Sequence, residues 1–179
     1  ADFCIKVGAS PKYRYLERVL PELAEKVYIH KIVYDEVMVP VCAKEQIDSL
    51  IKQGILEIMD ESKLAPLEKK VYEGTYCLLA RIMMNPNRPR KNQGEICSLA
   101  IAKTKSIPYF ATDEKKLQPI IDKALNTGMN DIICVRIEDV VQKIKSGELS
   151  AFKRKEAKVL WRLAGKRTDI FDRNIWPVQ

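Results

Sequence analysis

Apolar residues return along this chain in two alternating rhythms. Tyr15, Leu16, Val19, Leu20 and Leu23 recur at helical spacing, with Pro21 expected to kink or break that helix. Val27-Tyr28-Ile29-His30 is a short run of strand type, and the segment from Ile32 to Met38 is helical until Pro40 stops it. Ile47, Leu50 and Ile51 form the next helical stripe, which Gly54 closes before a strand over Ile55 to Met59. Ser62 to Met84 is the longest helical stretch, followed by a basic, proline-punctuated loop over Asn85 to Asn92. The pattern then predicts a helix over Glu95 to Lys105, a strand over Ile107 to Thr112, a helix over Lys116 to Thr127 and a strand over Asp131 to Val135. The opening Asp2 to Val7 reads as strand end or early helix, and Gly8 to Pro11 as a turn.

Strands separated by helices of about ten residues or more favour a parallel sheet covered on both faces, the α/β class. From Ser150 the chain changes character. A strongly basic amphipathic helix is built around Phe152, Val159, Leu160 and Leu163 and capped near Gly165, and an irregular tail runs from Thr168 to Gln179. Residues 1–149 therefore read as one domain and 150–179 as its basic helical C-terminal extension.

Composition narrows the class. With 179 residues, 46% hydrophobic and 31% charged, the chain can bury a core without disulfide or structural-metal staples. No apolar run approaches the ~20 residues of a membrane span, and no signal-peptide pattern opens the chain, so a cytoplasmic protein with no membrane partner is expected. The five cysteines are widely spaced with no C-x-x-C pair, which excludes a disulfide framework or zinc ribbon as the organising feature. The formal charge of +7 at pH 7 suits a polyanionic partner.

Candidate chemistry lies in carboxylates at the edges of apolar runs. In V-Y-D-E-V, Glu36 stands one helical turn from Ile32 and Val33 on the inward line, whereas Asp35 lines up with Lys31 on the wetter side. A carboxylate facing inward needs a cation or donor. Glu95 opens a helix after Gly94, with Ser98, Leu99 and Ala102 above it; it leaves room for an ion or phosphate, or it simply complements the helix macrodipole. Asp113 directly follows a strand, where ligands gather in open α/β sheets, although Thr112-Asp113-Glu114 also suits a helix N-cap or turn. Asp2 completes the set.

Together V-Y-D-E-V, Q-G-E-I-C-S-L-A-I-A and I-P-Y-F-A-T-D-E-K-K resemble the PIN domain, above all the branch in which a Gly-Glu pair opens an alanine-rich helix. The resemblance covers about Ala1 to Val140 in element order, and A-D-F-C-I-K-V looks like the end of the family's first strand. It implies a parallel sheet flanked by helices that gathers acids around Mg²⁺ or Mn²⁺, and a metal-dependent endoribonuclease. Residue by residue, it places Glu36, Glu95 and Asp113 in the metal site, with Asp2 either the first family acid or its companion two positions later, the first acid then lying ahead of Ala1. A hard divalent ion with oxygen ligands fits that donor set. The family also implies a toxin-type nuclease, an antitoxin or other protein partner, and a homodimer as expectations.

Arg88, Arg90 and Lys91 ahead of Gly94-Glu95, and Lys115 and Lys116 after Asp113, are expected to rim the acids and hold RNA phosphates without reading sequence. The basic C-terminal residues with Trp161 either extend that RNA track by stacking on a base or dock the helix on the core or another subunit. His30, the single histidine, reads as structural. Two rival functions stand beside the nuclease. One is a catalytically inactive PIN-like module that binds RNA or protein. The other is a nucleotide-binding or phosphatase-like protein, disfavoured because no Gly-rich phosphate loop occurs.

Overall fold

The computed structural model describes residues 1–88 and 90–177; Pro89 of the expected loop and the last two residues of the expected tail lie outside the described residues. Helices and short strands alternate as α1 (Asp2–Gly8), α2 (Tyr15–Leu23), β1 (Val27–His30), α3 (Lys31–Glu36), α4 (Val41–Lys52), β2 (Leu56–Met59), α5 (Pro66–Met83), α6 (Gln93–Thr104), β3 (Tyr109–Ala111), α7 (Leu117–Ala124), β4 (Ile133–Val135), α8 (Ile137–Ser146), α9 (Arg154–Leu163) and α10 (Thr168–Ile170). The class is α/β, and among the described residues no helix is long and apolar enough to cross a membrane.

All strand pairing in the named strands is parallel, as alternation with helices requires. It takes the form of two separate pairs. β1 pairs with β2, Val27 opposite Leu56 through His30 opposite Met59, and β3 pairs with β4, Tyr109 opposite Ile133 through Ala111 opposite Val135. Among the described residues no ladder joins the pairs into the single sheet expected from the sequence.

The opening segment is a helix and not the end of a strand. Phe3 and Val7, one turn apart, are both buried, and Gly8 lets α1 cross α4 so closely that a Cβ there would lie 2.6 Å from the Ala43 Cβ. α2 continues through Pro21 to Leu23, because a proline this near the helix end removes only the bond to the Glu17 carbonyl. The fully buried Gln46 ties α1, α2 and α4 together. Its Oε1 accepts from the Leu16 N–H at 3.0 Å, and its Nε2 donates to the carbonyls of Gly8 at 3.0 Å and Cys42 at 2.9 Å.

Toward the C-terminus, α8 packs Ile137, Val140, Val141 and Ile144 into the main core. α9 buries Ala157, Leu160 and Trp161 in that same core, so Trp161 is a docking residue, its Nε1 donating to the Arg167 carbonyl at 2.9 Å. The expected irregular tail is instead a pair of helical turns, α10 and a π-helical turn over Phe171–Ile175. Phe171 holds them down, fully buried beside the rings of Trp161 and Trp176.

Candidate functional site

The segments that follow β1 and β3 each carry an acid toward α1: Glu36 interacts with the Ala1 ammonium, and Asp113 bonds Lys6. His30 ends β1 and caps α3, its Nδ1 accepting from the Ile32 N–H at 3.2 Å. Its ring is buried, and burial lowers its pKa, so it stays a neutral capping group. α3 then runs one and a half turns from Lys31 to Glu36. Lys31 and Asp35 form an exposed ion pair at 2.8 Å, the wetter side expected for Asp35, while Val33 is buried and Glu36 follows it on the same face.

Glu36 reaches the N-terminus of α6. A Cβ on Gly94 would sit 3.1 Å from Glu36 Oε2 and 3.1 Å from Val33 Cγ2, so the glycine makes the space in which the carboxylate rests. Although the residue as a whole is exposed, burial of its carboxyl end pushes its pKa up. The Ala1 ammonium pulls it down, and Glu95 pushes it up further. Glu95 lies in the first turn of α6, in place to complement the macrodipole. Among the described residues neither the Glu36 nor the Glu95 carboxylate has a hydrogen-bond or ion-pair partner.

Asp113 has one. Lys6 Nζ donates to its Oδ2 at 2.7 Å and also pairs with Asp2 at 2.8 Å, one turn back on α1. The Asp113 side chain is only 6% exposed. The turn after β3 is capped by Thr112, whose Oγ1 accepts from the Glu114 N–H at 3.1 Å, which leaves Asp113 free to face Lys6. Further cations stand around it. Lys166 has its pKa lowered by burial, with Asp113 opposing that effect and Lys115, Lys6 and Arg136 adding to it. Lys166 also pairs with Glu138. The buried Arg136 Nε has no partner among the described residues.

The four sequence-predicted acids thus form two pairs, Glu36 with Glu95 and Asp2 with Asp113, the second pair bridged by Lys6. No three His, Cys, Asp or Glu side chains converge closely enough to hold a metal ion among the described residues. The donor chemistry nevertheless suits a hard divalent cation, since the acids offer carboxylate oxygens only. The Glu36 carboxyl is unfavourably placed for its own charge, and an ammonium lies between Asp2 and Asp113.

Of the basic residues, Arg88, Arg90 and Lys91 are exposed in the loop entering α6, and Lys115 and Lys116 are exposed between Asp113 and α7. Among the described residues Lys115 makes one ion-pair contact, a long one of 3.8 Å to Glu138. In the C-terminal extension Arg154 and Lys158 are tied to Asp172, and Arg167 to Asp169. Lys6 and Arg136 are the site residues that sequence reasoning missed. The Asp2 and Lys6 spacing of four was the available signal for the first, and it becomes one only when the segment is helical.

No protein-family model, curated protein or solved structure matches the chain.

Proposed function

We propose that this protein is a PIN-like, metal-dependent endoribonuclease whose site is Glu36, Glu95, Asp113 and Asp2. The observation that carries the reading is the pairing of Glu36 with Glu95 across Gly94: two carboxylates that, among the described residues, have no hydrogen-bond or ion-pair partner. Mg²⁺ or Mn²⁺ would be held first by Glu36 and Glu95, and Asp113 and Asp2, which are paired with Lys6 and do not converge with the other two, would complete the oxygen donors on release from that lysine. When bound, such an ion lowers the pKa of water and offsets charge on a phosphodiester under attack. Arg88, Arg90 and Lys91 on one rim and Lys115 and Lys116 on the other bind phosphates and orient the RNA strand, a contribution that weakens steeply with salt. Lys6 holds Asp2 and Asp113 together and keeps their charge balanced. RNA is the proposed substrate, and an antitoxin or other restraining protein the proposed partner.

A second reading, a catalytically inactive RNA-binding module, is favoured by one observation: Lys6 already neutralises Asp113. Cleavage of end-labelled single-stranded RNA separates the two. Metal-dependent cleavage, abolished by EDTA and lost in Asp113→Asn and Glu95→Gln with folding intact, is the expected outcome. Salt-sensitive binding without cleavage would overturn the nuclease in favour of the module.

A further inference from the structure

The C-terminal extension brings a lysine back to the neighbourhood of Asp113. α9 ends in a left-handed turn at Gly165, where the Gly165 N–H donates to the Arg162 carbonyl at 2.9 Å and the Lys166 N–H to the Trp161 carbonyl at 3.3 Å. That turn lays Lys166 over the Trp161 ring, its Nζ 4.9 Å from the centroid, a contact that favours a cation. Because Trp161 is buried in the main core, the ammonium is held in place, and the Lys166 side chain is only 18% exposed. There it pairs with Glu138 in the first turn of α8.

Two more cations gather at this point. Lys115 reaches the same Glu138 oxygen, Oε1, at 3.8 Å, and Arg136, just ahead of α8, donates from Nη2 to the Lys115 carbonyl at 3.2 Å. The neighbouring acid, Asp139, is committed to the Arg136 backbone N–H at 2.8 Å. Lys115 and Lys166 thus share a single carboxylate oxygen, and among the described residues the Arg136 guanidinium pairs with no carboxylate at all. Its Nε is buried without an acceptor, an arrangement that is costly until one arrives. Asp113 stands close by, already held by Lys6. Burial lowers the Lys166 pKa, Asp113 opposes that, and Lys115, Lys6 and Arg136 lower it further, so these groups lie within electrostatic reach of one another.

We propose that Lys166, Arg136 and Lys115 form a phosphate site beside Asp113, which takes one phosphate group of the RNA strand and fixes its position relative to the proposed metal site. Two ammonium groups and the donor fork of a guanidinium match the oxygens of a phosphate, and the positive charge that Glu138 leaves uncompensated matches its charge. α9 and the turn after it thereby supply a substrate contact as well as a docked helix. The proposal rests on the proposed RNA substrate for the source of the phosphate, and not on cleavage.

The test measures binding of a short, 3′-labelled single-stranded RNA in EDTA by fluorescence anisotropy. Lys166→Met and Arg136→Met should each weaken binding by at least about fivefold and lower the slope of log affinity against log salt by about 0.7, the signature of one lost contact on a single strand. Lys166→Arg should restore most of the affinity. Lys155→Met, which removes an exposed charge from α9 itself, should weaken binding by less than about twofold. No loss in Lys166→Met, or an equal loss in Lys155→Met, would overturn the proposal. A Lys166→Met penalty that is the same with and without a 5′-phosphate assigns the site to an internal phosphodiester, and one confined to the phosphorylated strand assigns it to the terminal phosphate. The native chain gives a reading independent of any substitution: inorganic phosphate should shift the Arg136 Nε–H signal in NMR more than sodium chloride of equal ionic strength, and equal shifts would overturn the site. RNA binding with these losses but without metal-dependent cleavage would leave the phosphate site standing and remove the nuclease, whereas no RNA binding by the native chain would remove both.

Discussion

Lys6 and Asp113, separated by 107 positions in sequence, share a hydrogen bond of 2.7 Å that places an ammonium among the candidate site's acids. Burial works against the Lys6 charge, but its hydrogen bonds to Asp113 and Asp2 outweigh that and hold its pKa above the usual lysine value. In the proposed metal site this ammonium competes with a divalent ion for the two carboxylates.

Replacing Lys6 by Met should therefore free both carboxylates and tighten Mn²⁺ binding by about tenfold, or about 1.4 kcal/mol, measured by calorimetry. Unchanged or weaker binding would remove Asp2 and Asp113 from the proposed ligand set.

The same pair carries a pH signature. A lysine whose pKa is raised by folding contributes stability that is fully present below its unfolded value of about 10.5 and is lost as pH rises through the higher folded value. The difference in melting temperature between the native chain and Lys6→Met should hold constant from neutral pH to about 10 and close only above the unfolded pKa. Closure near neutral pH would mean that the ammonium is not held as described.

Gly94 supports a prediction of opposite kind. Glycine to alanine in a helix interior ordinarily stabilises by about 0.8–1.0 kcal/mol, and at the second residue of α6 a part of that gain is expected. Here the new Cβ would press on Glu36 Oε2 and Val33 Cγ2, each at 3.1 Å. Gly94→Ala should give little of that gain in the native background and more of it when Glu36 is also Ala, with a coupling of about 0.5 kcal/mol or more in a urea-denaturation cycle. Additive effects would show that the Glu36 carboxylate does not rest on Gly94.

Much of the fold was legible because short, strongly patterned segments met no competing constraint. V-Y-I-H and L-E-I-M became β1 and β2, the Tyr15 to Leu23 stripe became α2, and Lys31 and Asp35 paired as their spacing required. Asp2 to Val7 was ambiguous because so short a run satisfies both periods, and the burial of Phe3 with Val7 decides for the helix. α8 carried its own signal, with Ile137, Val140, Val141 and Ile144 at helical spacing, but no element was expected there. The Lys6 contact with Asp113 and the separation of the two strand pairs are tertiary facts that no local pattern encodes. So is Gln46, whose polar side chain within an amphipathic helix reads as a wet position until its backbone partners are seen.

Gln46→Leu should cost about 2–4 kcal/mol in urea denaturation, since the Leu16 N–H and one bond to the Gly8 carbonyl lose their partner inside the core. A cost below 1 kcal/mol, well under that of one unsatisfied buried group, would mean that water reaches this junction.

The C-terminal turns test which force holds an element in place. Asp172 accepts from Lys158 and Arg154, and these bonds keep its carboxyl below the usual range, so the contribution is present above about pH 3.8 and is lost as pH falls through the lower folded value. Ion pairs this open to solvent contribute little. Phe171 is fully buried, with its ring centroid 6.1 Å from Trp161 and 6.4 Å from Trp176. Truncating such a ring costs about 3–5 kcal/mol. Phe171→Ala should therefore open the segment to trypsin after Arg167 and Arg173 and lower the melting temperature by several degrees. Asp172→Asn should leave the melting temperature nearly unchanged at neutral pH. Equal effects of the two substitutions would shift the anchoring from the ring to the charges.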